Sequence, residues 1–80
     1  MDKKLRTIIE TIMNVPSDII DDESGPDNID GWDSLRHMRL ILAVEDYYSL
    51  SFSDSEITSI NDVKTLKEVL EPYIGESNDE

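Results

Sequence analysis

The spacing of the apolar residues constrains this chain more than any other feature. Leu5, Ile8, Ile9 and Ile12 fall at i, i+3, i+4 and i+7, which is one stripe of an α-helix. Lys3, Lys4, Arg6 and Glu10 fall mostly off that stripe, and Pro16 stops it, so a helix is expected from Lys3 to about Asn14. A second helix, from about Ser34 to Tyr48, carries two stripes. At about 100° per residue, Leu40, Ile41, Val44 and Tyr48 gather on one side. Leu35, Met38 and Leu42 gather on nearly the opposite side. A surface helix needs one stripe to face its own core. The other must meet another part of the chain or a partner.

The remaining pattern is also helical. Ser53, with Glu56 three residues later, forms a capping box that opens a short helix carrying Ile57 and Ile60. Asn61 or Asp62 caps a last helix, with Val63, Leu66, Val69, Leu70 and Tyr73 as its buried side. Pro72 is expected to end or bend that helix near Glu71. Residues 47–52 (YYSLSF) alternate briefly with period two, but a lone strand has nothing to pair with, so an extended loop is expected. The fold class is all-α: a small bundle of three main helices plus one short helix, with a long loop after the first. Residues 1–74 form a single domain, and the polar, acidic residues 75–80 are expected to be disordered.

The long loop, residues 16–33, holds seven acids (Asp18, Asp21, Asp22, Glu23, Asp27, Asp30, Asp33) and neither Lys nor Arg. Pro16, Gly25, Pro26 and Gly31 punctuate it. A structureless loop of this length is uncommon in a compact domain. Val15, Ile19, Ile20, Ile29 and Trp32 are therefore expected to hold it on the core, with a short helical turn near Ser17 to Asp21. Trp32 reads as a hydrophobic anchor.

Size and charge exclude several functions. A chain of 80 residues hides only about 60% of the surface its unfolded form exposes, so a deep enclosed pocket is not expected. The chain has 7 Lys+Arg against 19 Asp+Glu, for a net charge of −12. That balance disfavours nucleic acid and anionic membranes, and it favours basic protein partners. The sequence has no cysteine, which excludes disulfides, thiolate metal sites and a Cys nucleophile, and which fits a reducing compartment. No apolar stretch is long enough for a signal peptide or a membrane span, so a cytoplasmic protein is expected. Both ends read as natural termini, which favours a free-standing chain, expected to be a monomer.

Ser34 stands out as the candidate site. It lies where a helix begins, directly after a glycine-containing loop. Backbone N–H groups are unpaired at that end and the macrodipole is positive, so a phosphate ester on Ser34 Oγ would be stabilised there. The bland alternative is that Ser34, or Asp33 before it, is only a helix cap. A hydrolase using Ser34 with His37, the single histidine, lacks an oxyanion hole and a pocket, and the G-x-S-x-G elbow is absent. An EF-hand with Gly31 at the sixth position puts Pro26 first and His37 twelfth, where an acid and a Glu are needed. No metal site is therefore expected. His37 is expected to be a partly buried packing residue.

Gly31-Trp32-Asp33-Ser34-Leu35 resembles the attachment motif of acyl and peptidyl carrier proteins, in which the Ser of D-S-L receives 4′-phosphopantetheine. The resemblance runs over about residues 3–74. It takes in the first helix, the acidic loop, the run Leu40 to Tyr48, and the stretch from Phe52 to Ile57 that resembles the family's short third helix. It implies that Ser34 carries the arm and that Asp33 and Leu35 help a phosphopantetheinyl transferase recognise the site. It further implies that Leu35, Met38 and Leu42 form a docking stripe for acyl-loading and acyl-using enzymes, with Glu45 and Asp46 adding charge. Leu40, Val44 and Tyr48 would face the core and any stored acyl chain. The protein would be a carrier rather than an enzyme, holding an acyl or aminoacyl group as a thioester.

The chain departs from the family pattern at Arg36, His37 and Arg39, where acids are common. That departure implies docking to a specialised partner set with a less basic surface, in a specialised biosynthetic pathway. Alternatively, the two arginines only neutralise neighbouring acids. The competing functional reading is an unmodified helical module that binds a protein through Leu35, Met38 and Leu42.

Overall fold

A computed structural model describes residues 3–74 of the chain. Four α-helices follow in order: α1 Lys3–Met13, α2 Ser34–Tyr48, α3 Asp54–Ser59 and α4 Val63–Ile74. A single 3-10 turn, Ser17–Ile19, interrupts the long first loop. No strand occurs among the described residues, and residues 47–52 complete α2 and then run on as loop. The acidic tail expected to be disordered lies outside the described residues.

The three long helices bury most of the core stripe their sequence marks. Leu5, Ile9 and Met13 of α1, Leu40, Ile41 and Val44 of α2, and Val63, Leu66 and Leu70 of α4 meet in one core with Ile60 and Phe52. Ile8 and Ile12, expected on the α1 stripe, pack at its half-buried edges, and Met13 takes the central place. Leu5, Ile9 and Met13 are each four residues apart, and that row points straight at the core. Tyr48, Ile57 and Val69 are half-buried against the same core.

The helices stop for local reasons. Past α1, Asn14 turns left-handed (φ 58°) and Val15 N–H bonds back to Glu10 O at 3.3 Å. Past α2, Ser49 does the same (φ 56°), with Leu50 N–H on Glu45 O at 2.9 Å. Both are Schellman ends, which satisfy carbonyls the helix leaves unpaired. At α3, Ser53 and Glu56 exchange backbone bonds in the expected capping box. At α4, Asp62 rather than Asn61 caps, with Oδ1 accepting from Thr65 N–H at 2.9 Å.

Three expectations are corrected. Pro72 does not end α4, which continues to Ile74. It sits in the last turn, so it removes one bond, to the carbonyl of exposed Glu68, where water can replace it. Tyr73 is exposed rather than buried, because the core has already ended below it. Its ring meets Phe52 edge-on at 5.4 Å and its hydroxyl donates to Glu56 Oε1, locking α4 onto the α3 capping box. That hydroxyl, with Ser53 N–H, holds the Glu56 carboxyl below its ordinary range. Ile19 is exposed because the 3-10 turn points it outward, while Ile20, Ile29 and Trp32 hold the loop down as expected.

The loop is fixed by other elements. Arg6 of α1 donates through Nη1 to Ser17 O at 2.7 Å and to Ile20 O at 2.9 Å. Ser24 O and Asp22 O accept from Val63 N–H and Lys64 N–H at 3.0 and 2.9 Å, so loop carbonyls take up donors in the first turn of α4. Gly25 allows this approach, since a Cβ there would lie 3.0 Å from Asn61 O. Lys67 Nζ pairs with Asp22 at 2.6 Å and holds that carboxyl below its ordinary value.

Ser49 is a non-glycine residue in the left-handed region, which costs about 1–2 kcal/mol. Ser49→Gly removes that strain and adds some unfolded-chain entropy. It is expected to stabilise the fold by about 0.5–1 kcal/mol, read as a raised urea midpoint with unchanged slope.

Candidate functional site

The site is built where the loop turns into α2. Gly31 takes φ +88°, which L side chains rarely adopt, and redirects the chain. Asp33 N–H bonds back to Gly31 O at 2.9 Å across this turn. Trp32 is 4% exposed and is the apolar weight that keeps the turn on the core. Asp33 is extended (φ −107°, ψ −175°) and caps α2, its Oδ1 accepting from Arg36 N–H at 2.9 Å. Its carbonyl accepts from His37 N–H at 2.8 Å.

Asp33 therefore does the capping, and Ser34 is the first helical residue with its hydroxyl left over. Ser34 is exposed, and its Oγ makes no hydrogen bond among the described residues. Within the same residues, the N–H groups of Ser34 and Leu35 also lack a partner. These donors and the positive end of a 15-residue helix sit beside the free hydroxyl. A phosphodiester fits this place: the oxygen is free, the flanking charge has the right sign, and no wall stands over it.

Down the exposed side of α2, Leu35 (62% exposed), Met38 (42%) and Leu42 (58%) form the second stripe, and no other part of the described residues covers them. Arg39 and Asp46 are exposed on the same face. Arg36 and Glu45, expected beside them as docking charges, lie on the two flanks and are half-buried. Arg36 donates through Nη1 to Met13 O at 3.1 Å. Glu45 Oε2 accepts from Phe52 N–H at 2.8 Å, holding the loop that follows α2. Both side chains are turned to neighbouring backbone, which their helical positions alone did not reveal.

His37 faces inward, as expected, but it does more than pack. Trp32 Nε1 donates to His37 Nδ1 at 3.1 Å, so the ring must hold its proton on Nε2. Partial burial pushes the His37 pKa below its ordinary 6.5. A Trp–His bond spanning the start of a helix has no sequence signature, and only the fold brings the two rings together. No group of three or more His, Asp or Glu side chains is arranged to hold a metal ion among the described residues.

The chain matches the family described as "Phosphopantetheine attachment site" over residues 3–70. It belongs to that family. Among solved structures, it is similar to the solution NMR structure of holo acyl carrier protein from Geobacter metallireducens. The two share 28% identity with a TM-score of 0.79, over 89% of this chain and 82% of the other. No curated protein matches the chain significantly. The domain is thus an acyl carrier protein domain whose prosthetic group is 4′-phosphopantetheine.

The His37 shift sets a pH dependence. The folded ring binds its proton less tightly than the unfolded one, so the unfolded state takes up protons first as pH falls. The contribution is present above pH 6.5, declines below it, and is gone once the pH is below the folded pKa. Asp22 and Glu56, whose ordinary values are 3.8 and 4.5, are both lowered and act only at more acidic pH. His37→Gln keeps an acceptor for Trp32 without a titrating ring. Thermal unfolding against pH is expected to show a fall just below pH 6.5 in the wild type and a flatter profile in the variant.

Proposed function

We propose that Ser34 is the hydroxyl that receives the arm, and that the domain shuttles an acyl or aminoacyl group between enzymes of a specialised biosynthetic pathway. The observation that carries this reading is the free hydroxyl of Ser34 at the α2 N-terminus, released because Asp33 does the capping. A phosphopantetheinyl transferase would join Ser34 Oγ to the phosphorus of the pantetheine phosphate of coenzyme A. The P–O bond to the nucleotide breaks, the nucleotide leaves, and the hydroxyl proton passes to a base of the transferase. Once bound, the arm supplies a thiol that holds the cargo as a thioester. The contribution of this chain is to present the tether and raise the local concentration of cargo at partner active sites.

Leu35, Met38 and Leu42 are the proposed contact surface for the transferase and for acyl-loading and acyl-using enzymes, with Arg39 and Asp46 as its charges. Asp33 and Leu35 flank the attachment point and serve its recognition. The charge of −12 argues against nucleic acid as a partner. No helix among the described residues is long and apolar enough to cross a membrane. A cytoplasmic monomer is the setting this reading assigns. The exposed stripe also suits an unmodified interaction module, and the same experiment separates the two.

Incubated with coenzyme A, magnesium and a broad-specificity phosphopantetheinyl transferase, the wild-type chain is expected to gain the mass of one arm, and Ser34→Ala none. A wild-type chain that keeps its mass while binding a protein through the stripe would be an interaction module. At the exposed Arg39, Arg39→Glu should change stability by less than about 0.5 kcal/mol. It should lower the KM of the loaded chain with a generic fatty-acid enzyme that has a basic docking surface. An unchanged KM removes the role given to Arg39.

A further inference from the structure

Arg36 and Arg39 look alike in sequence, one turn apart on α2, but the structure separates them. Arg39 is exposed. The guanidinium of Arg36 turns back toward the loop and lies over Gly31, so close that a Cβ there would be 2.8 Å from Nη1. From that place Nη1 donates to Met13 O, the last carbonyl of α1, at 3.1 Å. The last turn of α1 has no basic residue of its own, so Arg36 brings a cation to the negative end of that helix dipole. Through its backbone, Arg36 N–H holds the Asp33 cap at 2.9 Å. One residue thus joins the end of α1, the left-handed turn at Gly31 and the first turn of α2, and Ser34 lies between these ties.

Taking Ser34 as the attachment point, the geometry points to Arg36 as a positioning residue for its modification. It holds the Gly31–Asp33 turn in the one conformation that presents the Ser34 hydroxyl to the transferase. Without its guanidinium, the turn keeps the backbone bonds of Trp32 and Asp33, the Asp33 cap, the Trp32–His37 bond and the burial of Trp32. None of these ties Gly31 to the end of α1, and glycine itself imposes no single conformation. A transferase that accepts one conformer then meets a smaller competent fraction. Its apparent affinity falls by that fraction, while the chemical step after binding is unchanged. The effect therefore belongs in KM.

The test compares the full wild-type chain with Arg36→Met, Arg36→Gln, Arg36→Lys and Gly31→Ala, with coenzyme A and a broad-specificity transferase. The temperature is one at which circular dichroism shows each chain folded. Arg36→Met keeps the apolar stem and loses the donors. It is expected to raise KM for the carrier about tenfold with kcat within about twofold, as a competent fraction near one tenth requires. Arg36→Lys, which keeps charge and reach, should recover most of this. Gly31→Ala crowds the guanidinium and also strains the left-handed turn itself. It should raise KM at least as much as Arg36→Met, and it tests whether the turn conformation governs modification. Arg36→Gln, which shortens the side chain and loses the charge, decides the role of Arg36 if Arg36→Met does not fold. Hydrogen exchange of the hydrogen-bonded amides of Trp32, Asp33 and Arg36 should quicken in Arg36→Met and in Gly31→Ala while the core of α4 is unchanged. A wild-type KM in a folded Arg36→Met or Gly31→Ala chain overturns the inference. So does a raised KM in Arg36→Met without faster exchange at Trp32, Asp33 and Arg36, which would mean direct contact with the transferase. If the wild-type chain takes no arm, the reading of Ser34 falls, and the exchange comparison alone decides whether Arg36 holds the turn.

Discussion

The segment between α1 and α2 must fold almost without regular structure of its own. It can do so because its carbonyl oxygens are claimed by groups elsewhere in the fold. Arg6 takes those of Ser17 and Ile20, and the first N–H groups of α4 take those of Asp22 and Ser24. Buried backbone that found no such partner would cost more than a small core returns. With those bonds made, Ile20, Ile29 and Trp32 can settle on the core. The chain then arrives at Ser34 in a defined direction, and the site depends on that arrival.

The electrostatics follow the same division of labour. The chain is short of cations, and several of those present serve the fold. Arg6 and Arg36 hold carbonyls, and Lys67 pairs with Asp22. Arg39 is left exposed on the face that carries Leu35, Met38 and Leu42. The departure from the family's acidic pattern after the attachment motif therefore has two physical meanings. At Arg36 it is a link between helices, and at Arg39 it is a change in what the outer face of α2 offers a partner. Surface pairing alone would explain neither, since exposed ion pairs contribute little.

The inner side of the α2 start shows how a small domain keeps a polar site rigid without a pocket. Trp32 supplies buried area, and its indole N–H is satisfied by the His37 ring rather than by water. His37 N–H in turn bonds to the carbonyl of the Asp33 cap. The indole N–H, His37 Nδ1 and the Asp33 carbonyl are all partnered, and the Ser34 hydroxyl on the outer side has no partner among the described residues. That contrast separates Ser34 from an ordinary capping serine, as the tether role proposed for it requires.

Local rules in the sequence determined the helices and their faces. A 3.6-residue period fixes which side chains of α1, α2 and α4 share a face, and it puts Leu35, Met38 and Leu42 opposite the core-facing stripe of α2. Capping chemistry acts over three or four residues, so the start of α3 at Ser53 and the start of α2 beside Ser34 were legible too. Tertiary structure decided whatever depends on how the loops are set against the helices. It turned Arg36 toward Met13 and Glu45 toward Phe52, bonded Trp32 to His37, and left Tyr73 at the rim rather than in the core. It also left the cap to Asp33 and the hydroxyl to Ser34, because the Gly31 turn sets the angle at which the chain enters the helix. Periodicity carries no information about such angles, which are set by where the loop is held on the other helices.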